Sequence, residues 1–106
     1  MKRVGFLFKI KKEHQEEYKK HHKNVWPEML DALKKHGWNN YSIFMTPEGL
    51  LFGYFETSDT FEKSLSIEDE NINRKWQDLM APYFENIGGE HSEERIIILE
   101  EVFYTN

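Results

Sequence analysis

The sequence predicts an α+β fold in which one antiparallel sheet carries helices on a single face. Apolar residues alternate with other residues over positions 3–10, as they do in a β-strand. A pattern of helical period then runs over positions 12–36. Two strand-like segments, a second helical segment and a last strand complete the order β-α-β-β-α-β.

The first helical segment contains a proline. Pro27 removes one helical hydrogen bond and restricts the residue before it, so we expect a kink or a restart at this point. The basic residues at 34–36 and then Gly37 are typical of a helix end. One apolar stripe is expected to be buried: Trp26, Met29, Leu30 and Leu33.

The middle of the chain predicts a hairpin. "WNNYSIFM" and "LLFGYFE" are strand-like, and "TPEG" between them has Pro and Gly where a turn needs them. Ser58 or Asp59 is expected to cap a short helix, and Ile72, Trp76 and Met80 share one face of the next helical segment. Positions 81–94 are expected to form a loop, and "RIIILEEVFY" predicts the last strand.

The strands are apolar on both faces, which a ferredoxin-like sheet with helices on one face does not need. In the last strand, Ile97, Leu99 and Phe103 are expected to face away from Ile96 and Ile98. An open apolar face is a large exposed patch on a monomer. We therefore expect a homodimer that packs sheet against sheet, with a covering loop as the alternative.

Composition fits a single domain over residues 1–106 and argues against several functions. The hydrophobic share is 39%, enough for a core. The net charge of −5, without a basic stripe, argues against nucleic acid or a membrane as partner. The chain has no cysteine for disulfides or thiol chemistry, and no segment approaches the roughly 20 apolar residues of a membrane span. We expect a cytoplasmic protein.

Residues 13–29 form a helical stretch whose first half is almost without apolar residues. His14, Tyr18 and His22 are spaced by four and share one face, while charged residues fill the rest. The stripe either faces solvent or faces a polar cavity between helix and sheet. In a cavity, a histidine can take or give a proton near neutral pH, and a phenol can orient a hydroxyl.

Other polar and aromatic positions leave alternatives open. No metal site is expected, because Glu17 and His21 are four apart but have no obvious third ligand and form no H-E-x-x-H motif. Trp76 lies in the polar stretch "NRKWQD", and together with Tyr41 it can stack on a sugar ring. Either aromatic residue can equally be part of the core.

Five segments resemble the L-rhamnose mutarotase family. Its members are sugar 1-epimerases with a dimeric ferredoxin-like fold, also called the dimeric α/β-barrel type. The five segments are "HQEEYKKHHKNVWPEM", "HGWNNYSIF", "LLFGYFE", "NRKWQDLM" and "EEVFYTN". The resemblance runs over nearly the whole chain, and the spacing of Tyr and His before W-P-E is specific. It implies an isomerase that interconverts the anomers of L-rhamnose or a related pyranose without a cofactor.

The resemblance also implies residue roles. His22 takes the position of the family's proton donor, and Tyr18 is its expected catalytic partner. Tyr18, Tyr41 and Trp76 take the positions that contact the sugar. The family usually has a second Trp after the first, where this chain has Gln77, so Gln77 is expected to contact the sugar and the preferred sugar is left open.

Two other functions fit parts of the pattern. A small dimeric monooxygenase of the same architecture would need a flat aromatic substrate and a largely apolar pocket. A sugar-binding dimer without catalysis would keep the aromatic residues but would not need His22.

Overall fold

The computed structural model describes residues 1–87 and 95–106 and confirms the α+β fold class. The strands and helices follow the predicted order, with one short extra strand before the last strand. They are β1 (Lys2–Ile10), α1 (Gln15–Lys23), α2 (Pro27–Lys35), β2 (Asn39–Met45), β3 (Leu50–Thr57), α3 (Phe61–Ser64), α4 (Asn71–Met80), β4 (Phe84–Glu85) and β5 (Ile96–Leu99). Turns of 3₁₀ helix cover Lys12–His14, Leu65–Asp69 and Ala81–Tyr83.

The sheet is antiparallel in every pair of strands that the described residues form, and β1 lies at its centre. One edge of β1 pairs with β3, which pairs in turn with β2. The other edge of β1 pairs with β5 over Gly5–Phe8 and with β4 at Lys9 and Ile10. The last strand, β5, therefore lies directly beside the first strand, β1.

The core lies between the helices and one face of the sheet. The alternation predicted for β1 is confirmed, since Val4, Phe6, Phe8 and Ile10 are all buried. Phe6 lies opposite Gly53 in the register, and its ring occupies the space that a Cβ at Gly53 would need. This absence of a side chain lets the Phe6 ring pack closely against β3.

Pro27 separates α1 from α2 as the sequence predicts. Helix α1 ends at Lys23, Trp26 has an extended backbone, and Pro27 is the first residue of α2, where its missing N–H has no cost. Gly37 follows α2 with a φ of 82°, so the predicted left-handed stop is also confirmed. The predicted buried stripe was partly wrong: Leu30 is exposed, and Ala32 is buried with Met29 instead.

Two further details of the sequence prediction need correction. The short helix α3 is capped by Thr60, whose hydroxyl accepts a hydrogen bond from Lys63 N at 3.1 Å, rather than by Ser58 or Asp59. The last strand covers only Ile96–Leu99, and residues 100–106 are exposed outside the sheet. Part of the predicted 81–94 loop is structured as a 3₁₀ turn and β4, and its positions 88–94 lie outside the described residues.

The face of the sheet away from the helices is apolar and open in this chain. Phe44 and Phe52 stack there with ring centroids 6.4 Å apart. Leu99 lies on the same side. It pairs with Gly5, and Gly5 pairs with Tyr54, which is two residues from Phe52 on β3 and therefore on the same face. We call the surface of Phe44, Phe52 and Leu99 the outer face; the exposed fractions of these residues are 62%, 37% and 36%.

Candidate active site

Helix α1 carries the two predicted catalytic side chains on its inward face. Tyr18 is buried and His22 is partly buried, while the residues between them are exposed or partly exposed. Because four residues make about one helical turn, the two rings lie one above the other. Their centroids are 4.2 Å apart and their planes differ by 29°, so the rings are stacked.

The backbone fixes the tautomer of His22. Its Nδ1 lies 2.9 Å from the carbonyl oxygen of Tyr18. A carbonyl oxygen can only accept, so Nδ1 carries the hydrogen and donates it. In the neutral ring this leaves the lone pair on Nε2, the nitrogen available to a substrate.

Burial keeps His22 neutral near pH 7. Desolvation lowers the pKa of His22 below its usual 6.5, and the nearby charge of His21 lowers it further. The hydrogen bond to the Tyr18 carbonyl opposes this shift without reversing it. His22 is therefore suited to accept a proton at neutral pH.

Burial affects Tyr18 in the opposite direction, because it raises the pKa of this side chain. Burial raises the pKa of its phenol well above the usual 10.0, and the neighbouring Tyr41 raises it further. Burial also raises the pKa of Tyr41 on β2. Both phenols stay protonated, so they act as hydrogen-bond donors beside a neutral imidazole that accepts.

Trp76 lies behind His22. The Trp76 ring meets His22 edge-on, with centroids 5.3 Å apart, and meets Trp26 edge-on at 5.2 Å. Only 6% of Trp76 is exposed, so it is a core residue whose ring also contacts the predicted catalytic residue His22. The sequence left open whether Trp76 is a core residue or a site residue, and its contact with His22 is consistent with both roles.

A cleft of about 780 Å³ opens between α1 and the β2–β3 hairpin, with Tyr18 and His22 on its helical wall. Ligand sites commonly have volumes of roughly 300–1,000 Å³. The remaining lining residues are Gln15, Lys19, Lys23, Ile43, Phe44, Met45, Thr46, Pro47 and Leu51. The cleft therefore combines an apolar strand wall with a polar helical wall that ends in an acceptor nitrogen and a donor hydroxyl.

Comparison with known proteins identifies the family. Residues 3–105 match the family model for L-rhamnose mutarotase. The chain belongs to the L-rhamnose mutarotase family. The members of this family are isomerases that interconvert sugar anomers, which is chemistry that a paired acceptor and donor can perform.

Relatives in this family cover most of the chain. An L-rhamnose mutarotase from Oceanobacillus iheyensis is 45% identical over 83 residues, which make up 77% of this chain and 79% of that protein. One from Bacillus subtilis is 39% identical over 105 residues, or 98% of both chains. A crystal structure of an L-rhamnose mutarotase from Formosa agariphila covers all of both chains with a TM-score of 0.80 at 30% identity.

The fold is also found outside the mutarotase family. A structure from Nitrosomonas europaea described as an antibiotic biosynthesis monooxygenase has a TM-score of 0.58, covering 98% of this chain and 92% of that one. At 12% identity, this likeness shows the shared fold alone. The ferredoxin-like architecture predicted from the order of elements is thus confirmed.

The predicted site residues of this mutarotase-family chain do not all line the cleft. Tyr18 and His22 do, whereas Tyr41, Trp76 and Gln77 are not among its lining residues. Tyr41 lies on β2 and packs against Trp38, with ring centroids 5.1 Å apart. Gln77 is exposed on α4, and its Nε2 lies 3.5 Å from Oδ1 of Asn73, one turn earlier.

Sequence reasoning missed the lining residues that come from the hairpin and from the start of α1. Gln15 precedes Lys19 and Lys23 by one and two turns, so these three form a stripe beside that of Tyr18 and His22. That spacing was visible in the sequence. The pairing of this stripe with the turn at Thr46 and Pro47 was not, because it depends on how α1 packs on the hairpin.

The remaining histidines of α1 and the turn before it have other contacts. His14 Nδ1 lies 2.7 Å from Oε2 of Glu17, and its ring lies 5.2 Å from that of Tyr83. His21 Nε2 lies 3.3 Å from the Tyr83 hydroxyl. Of the two, His21 is the one whose nearby charge lowers the pKa of His22.

The described parts of the chain give no indication of a metal centre or a membrane span. Within residues 1–87 and 95–106, no group of three or more His, Asp or Glu side chains is placed to hold a metal ion. No helix in the same ranges is long and apolar enough to cross a membrane.

Proposed function

We propose that residues 1–106 form a single-domain L-rhamnose mutarotase that interconverts the α and β anomers of L-rhamnose or a closely related pyranose. The observation that carries the proposal is that His22, whose Nε2 bears the lone pair, and Tyr18, whose phenol stays protonated, lie side by side on one wall of the cleft. Membership of the L-rhamnose mutarotase family supports the choice of substrate.

The chemistry needs one proton moved between two oxygens on the same carbon. Nε2 of His22 removes the proton from the anomeric hydroxyl, and the anomeric C–O bond becomes the carbonyl of an aldehyde. The bond between the anomeric carbon and the ring oxygen breaks, and the ring oxygen leaves with the electron pair. It then takes the proton back from the His22 imidazolium, so no net proton is lost.

Rotation of the open chain completes the reaction. Turning about the bond next to the aldehyde presents its other face, and the same steps in reverse close the ring as the other anomer. Tyr18 donates a hydrogen bond to the oxygen on which negative charge develops, which lowers the barrier. No step in this sequence requires a cofactor or a metal ion.

Three further residues are proposed sugar contacts by family resemblance. Tyr41 and Trp76 lie next to the catalytic pair, since Tyr41 influences Tyr18 and Trp76 touches His22. The exposed position of Gln77 gives no direct support for a contact within one chain. Its role rests on the resemblance alone.

Saturation-transfer NMR on equilibrated L-rhamnose tests the proposal. Saturating one anomeric proton should reduce the signal of the other only when the protein is present, because the enzyme exchanges the anomers faster than they relax. L-mannose and other 6-deoxy sugars serve as controls for specificity. Exchange of L-rhamnose no faster than in buffer would refute the proposal.

We also propose that the protein works as a homodimer joined through the outer face. Phe44 and Phe52 form an exposed apolar surface, and Leu99 is exposed on the same face of the sheet; such surfaces mark interfaces. A second copy of the chain is the fitting partner because a two-fold axis places the same apolar surface on both sides. Phe52→Glu tests this in analytical ultracentrifugation at micromolar concentration.

The expected result is a dimer for the wild type and a monomer or aggregate for Phe52→Glu. Leu30→Glu is the matched control, because Leu30 is an exposed apolar residue on α2 and not on the outer face. It should remain dimeric. A wild type that sediments as a monomer would contradict the proposal.

We also propose a cytoplasmic location. The chain has no cysteine and a sequence pI of about 5.5, which suit an enzyme that acts on free sugars inside the cell. Fractionation of the native host, with detection by an antibody, tests it. Recovery in the membrane or external fraction would contradict it.

A further inference from the structure

Gln15 joins the start of α1 to the turn between β2 and β3. Its Nε2 donates to the carbonyl oxygen of Pro47 at 2.8 Å. The turn itself is held in place, because Gly49 O accepts from Ile10 N at 2.9 Å and Gly49 has a φ of 90°. The hydrogen bond therefore connects a helix residue to a turn whose position the sheet fixes.

This bond determines which way the amide of Gln15 points. Pro47 O can only accept, so the nitrogen of the amide must face the turn. The amide oxygen, Oε1, faces away from that carbonyl. Among residues 1–87 and 95–106, no group donates a hydrogen bond to Oε1, and Gln15 lines the cleft. The cleft thus contains an oriented acceptor that no group in the described residues uses.

The spacing along α1 places this acceptor at the opposite end of the cleft from His22. Seven residues at about 1.5 Å of rise each separate the two Cα atoms by about 10 Å along the helix axis. If Oε1 and Nε2 are separated by the same distance as the Cα atoms, two hydrogen bonds of about 2.8 Å each leave about 5 Å between the bonded oxygens. This is the span of a pyranose from its anomeric oxygen to the hydroxyl across the ring.

We propose that Gln15 is a specificity-determining residue whose Oε1 accepts a hydrogen bond from the sugar hydroxyl opposite the anomeric carbon. Pro47 O holds the amide in the orientation that this contact needs. The inference rests on the proposed function, because it takes the anomeric carbon to lie at His22. The sugar class it selects is a pyranose with a free hydroxyl at C4, or at the neighbouring C3.

Variants of Gln15 distinguish two roles of its side chain: a hydrogen bond to the sugar, and the hydrogen bond that holds the β2–β3 turn. Gln15→Lys keeps a donor for Pro47 O but has no acceptor, whereas Gln15→Leu loses both. Lys20→Gln is the matched control, because Lys20 is exposed on the same helix and is not among the residues that line the cleft. Each variant is first checked for an unchanged melting temperature and oligomeric state.

The assay compares L-rhamnose with its 4-deoxy and 3-deoxy analogues by saturation-transfer NMR. In the wild type and in Lys20→Gln, the anomers of at least one analogue should exchange about tenfold less efficiently than those of L-rhamnose, the size expected for one lost hydrogen bond at a half-exposed site. Gln15→Lys and Gln15→Leu should lose this discrimination, with the effect in KM more than in kcat.

Two results would overturn the proposal. One is a wild type that exchanges all three sugars equally well. The other is a Gln15→Lys variant that restores the discrimination lost in Gln15→Leu, which would mean that only the hydrogen bond to the turn matters. If the wild type exchanges no sugar at all, the proposed function fails. The Gln15 proposal is then decided by the binding of the same three sugars, measured by saturation-transfer difference NMR.

Discussion

Replacing Tyr18 by Phe removes one hydroxyl and almost nothing else. The ring remains available to stack on His22, and the hydrogen bond from His22 goes to the backbone carbonyl of residue 18, which the substitution keeps. Within the described ranges, the Tyr18 hydroxyl has no hydrogen-bond partner in the protein. The substitution therefore leaves no group of the protein without its partner.

The expected effects on rate and on stability consequently differ. Loss of one donor to a developing oxyanion typically lowers kcat by about 10²–10³, or about 2.7–4 kcal/mol in the activation barrier. The free energy of unfolding should change by less than about 1 kcal/mol, since no intramolecular hydrogen bond is lost.

Two measurements decide the outcome for Tyr18→Phe. Saturation transfer on L-rhamnose gives the exchange rate, and urea denaturation gives the free energy of unfolding. A rate within threefold of the wild type would refute the assignment of Tyr18. A large loss of stability together with the loss of rate would show that the hydroxyl has a structural role that the geometry does not reveal.

Three other predictions follow from the same contacts. The kcat/KM for anomer exchange, corrected for exchange in buffer, should fall as the pH drops through a pKa below 6.5. The reason is that only neutral His22 accepts a proton and that burial lowers its pKa. A decline of kcat/KM that begins above pH 7 would contradict this prediction. Below pH 7 the unfolded chain binds more protons at His22 than the folded chain does, so the free energy of unfolding decreases as the pH falls. His22→Ala should therefore lose less unfolding free energy than the wild type between pH 7 and pH 5, as measured by urea denaturation. Gly53→Ala should lower the free energy of unfolding by about 1–3 kcal/mol, since the new Cβ overlaps the Phe6 ring, and unchanged stability would show that the ring can move aside.

A comparison of sugars tests the one departure from the family pattern. If Gln77 contacts the substrate, Gln77→Trp should change the ratio of exchange rates for L-rhamnose and L-mannose, because an indole offers less hydrogen bonding and more apolar area to the sugar. An unchanged ratio would remove Gln77 from the set of sugar contacts. Asn73→Ala, which removes the group that the Gln77 amide reaches, shows whether that contact matters.

Local patterns in the sequence were sufficient for most of the fold. The alternation of Phe6 and Phe8 and the placement of Pro27 and Gly37 each have a direct backbone consequence, and all were found as expected. The length of β5 was overestimated, because the β-branched and aromatic residues of "VFY" favour a strand, whereas the pairing of β5 with β1 ends at Gly5 and Leu99. Pairing requires a neighbouring strand, which a single segment of sequence does not specify.

The candidate site was predictable only in part. Tyr18 and His22 share a helix, so their spacing alone brings their rings together. The contact of Trp76 with His22 and the bond from Gln15 to Pro47 join elements far apart in the chain. The orientation of the His22 ring, which leaves Nε2 free, likewise follows from the three-dimensional position of the Tyr18 carbonyl.

The central claim is that Nε2 of His22 moves the proton between the two oxygens of the anomeric carbon. The direct measurement is the exchange rate between the anomers of L-rhamnose by saturation transfer, in the wild type, in His22→Ala and in His14→Ala. His14 is the matched control, since it is a histidine paired with Glu17 outside the cleft. His22→Ala should lose about 10²–10⁴ in rate while it remains folded, and His14→Ala should keep the wild-type rate. A folded His22→Ala protein that exchanges the anomers at the wild-type rate would contradict the account.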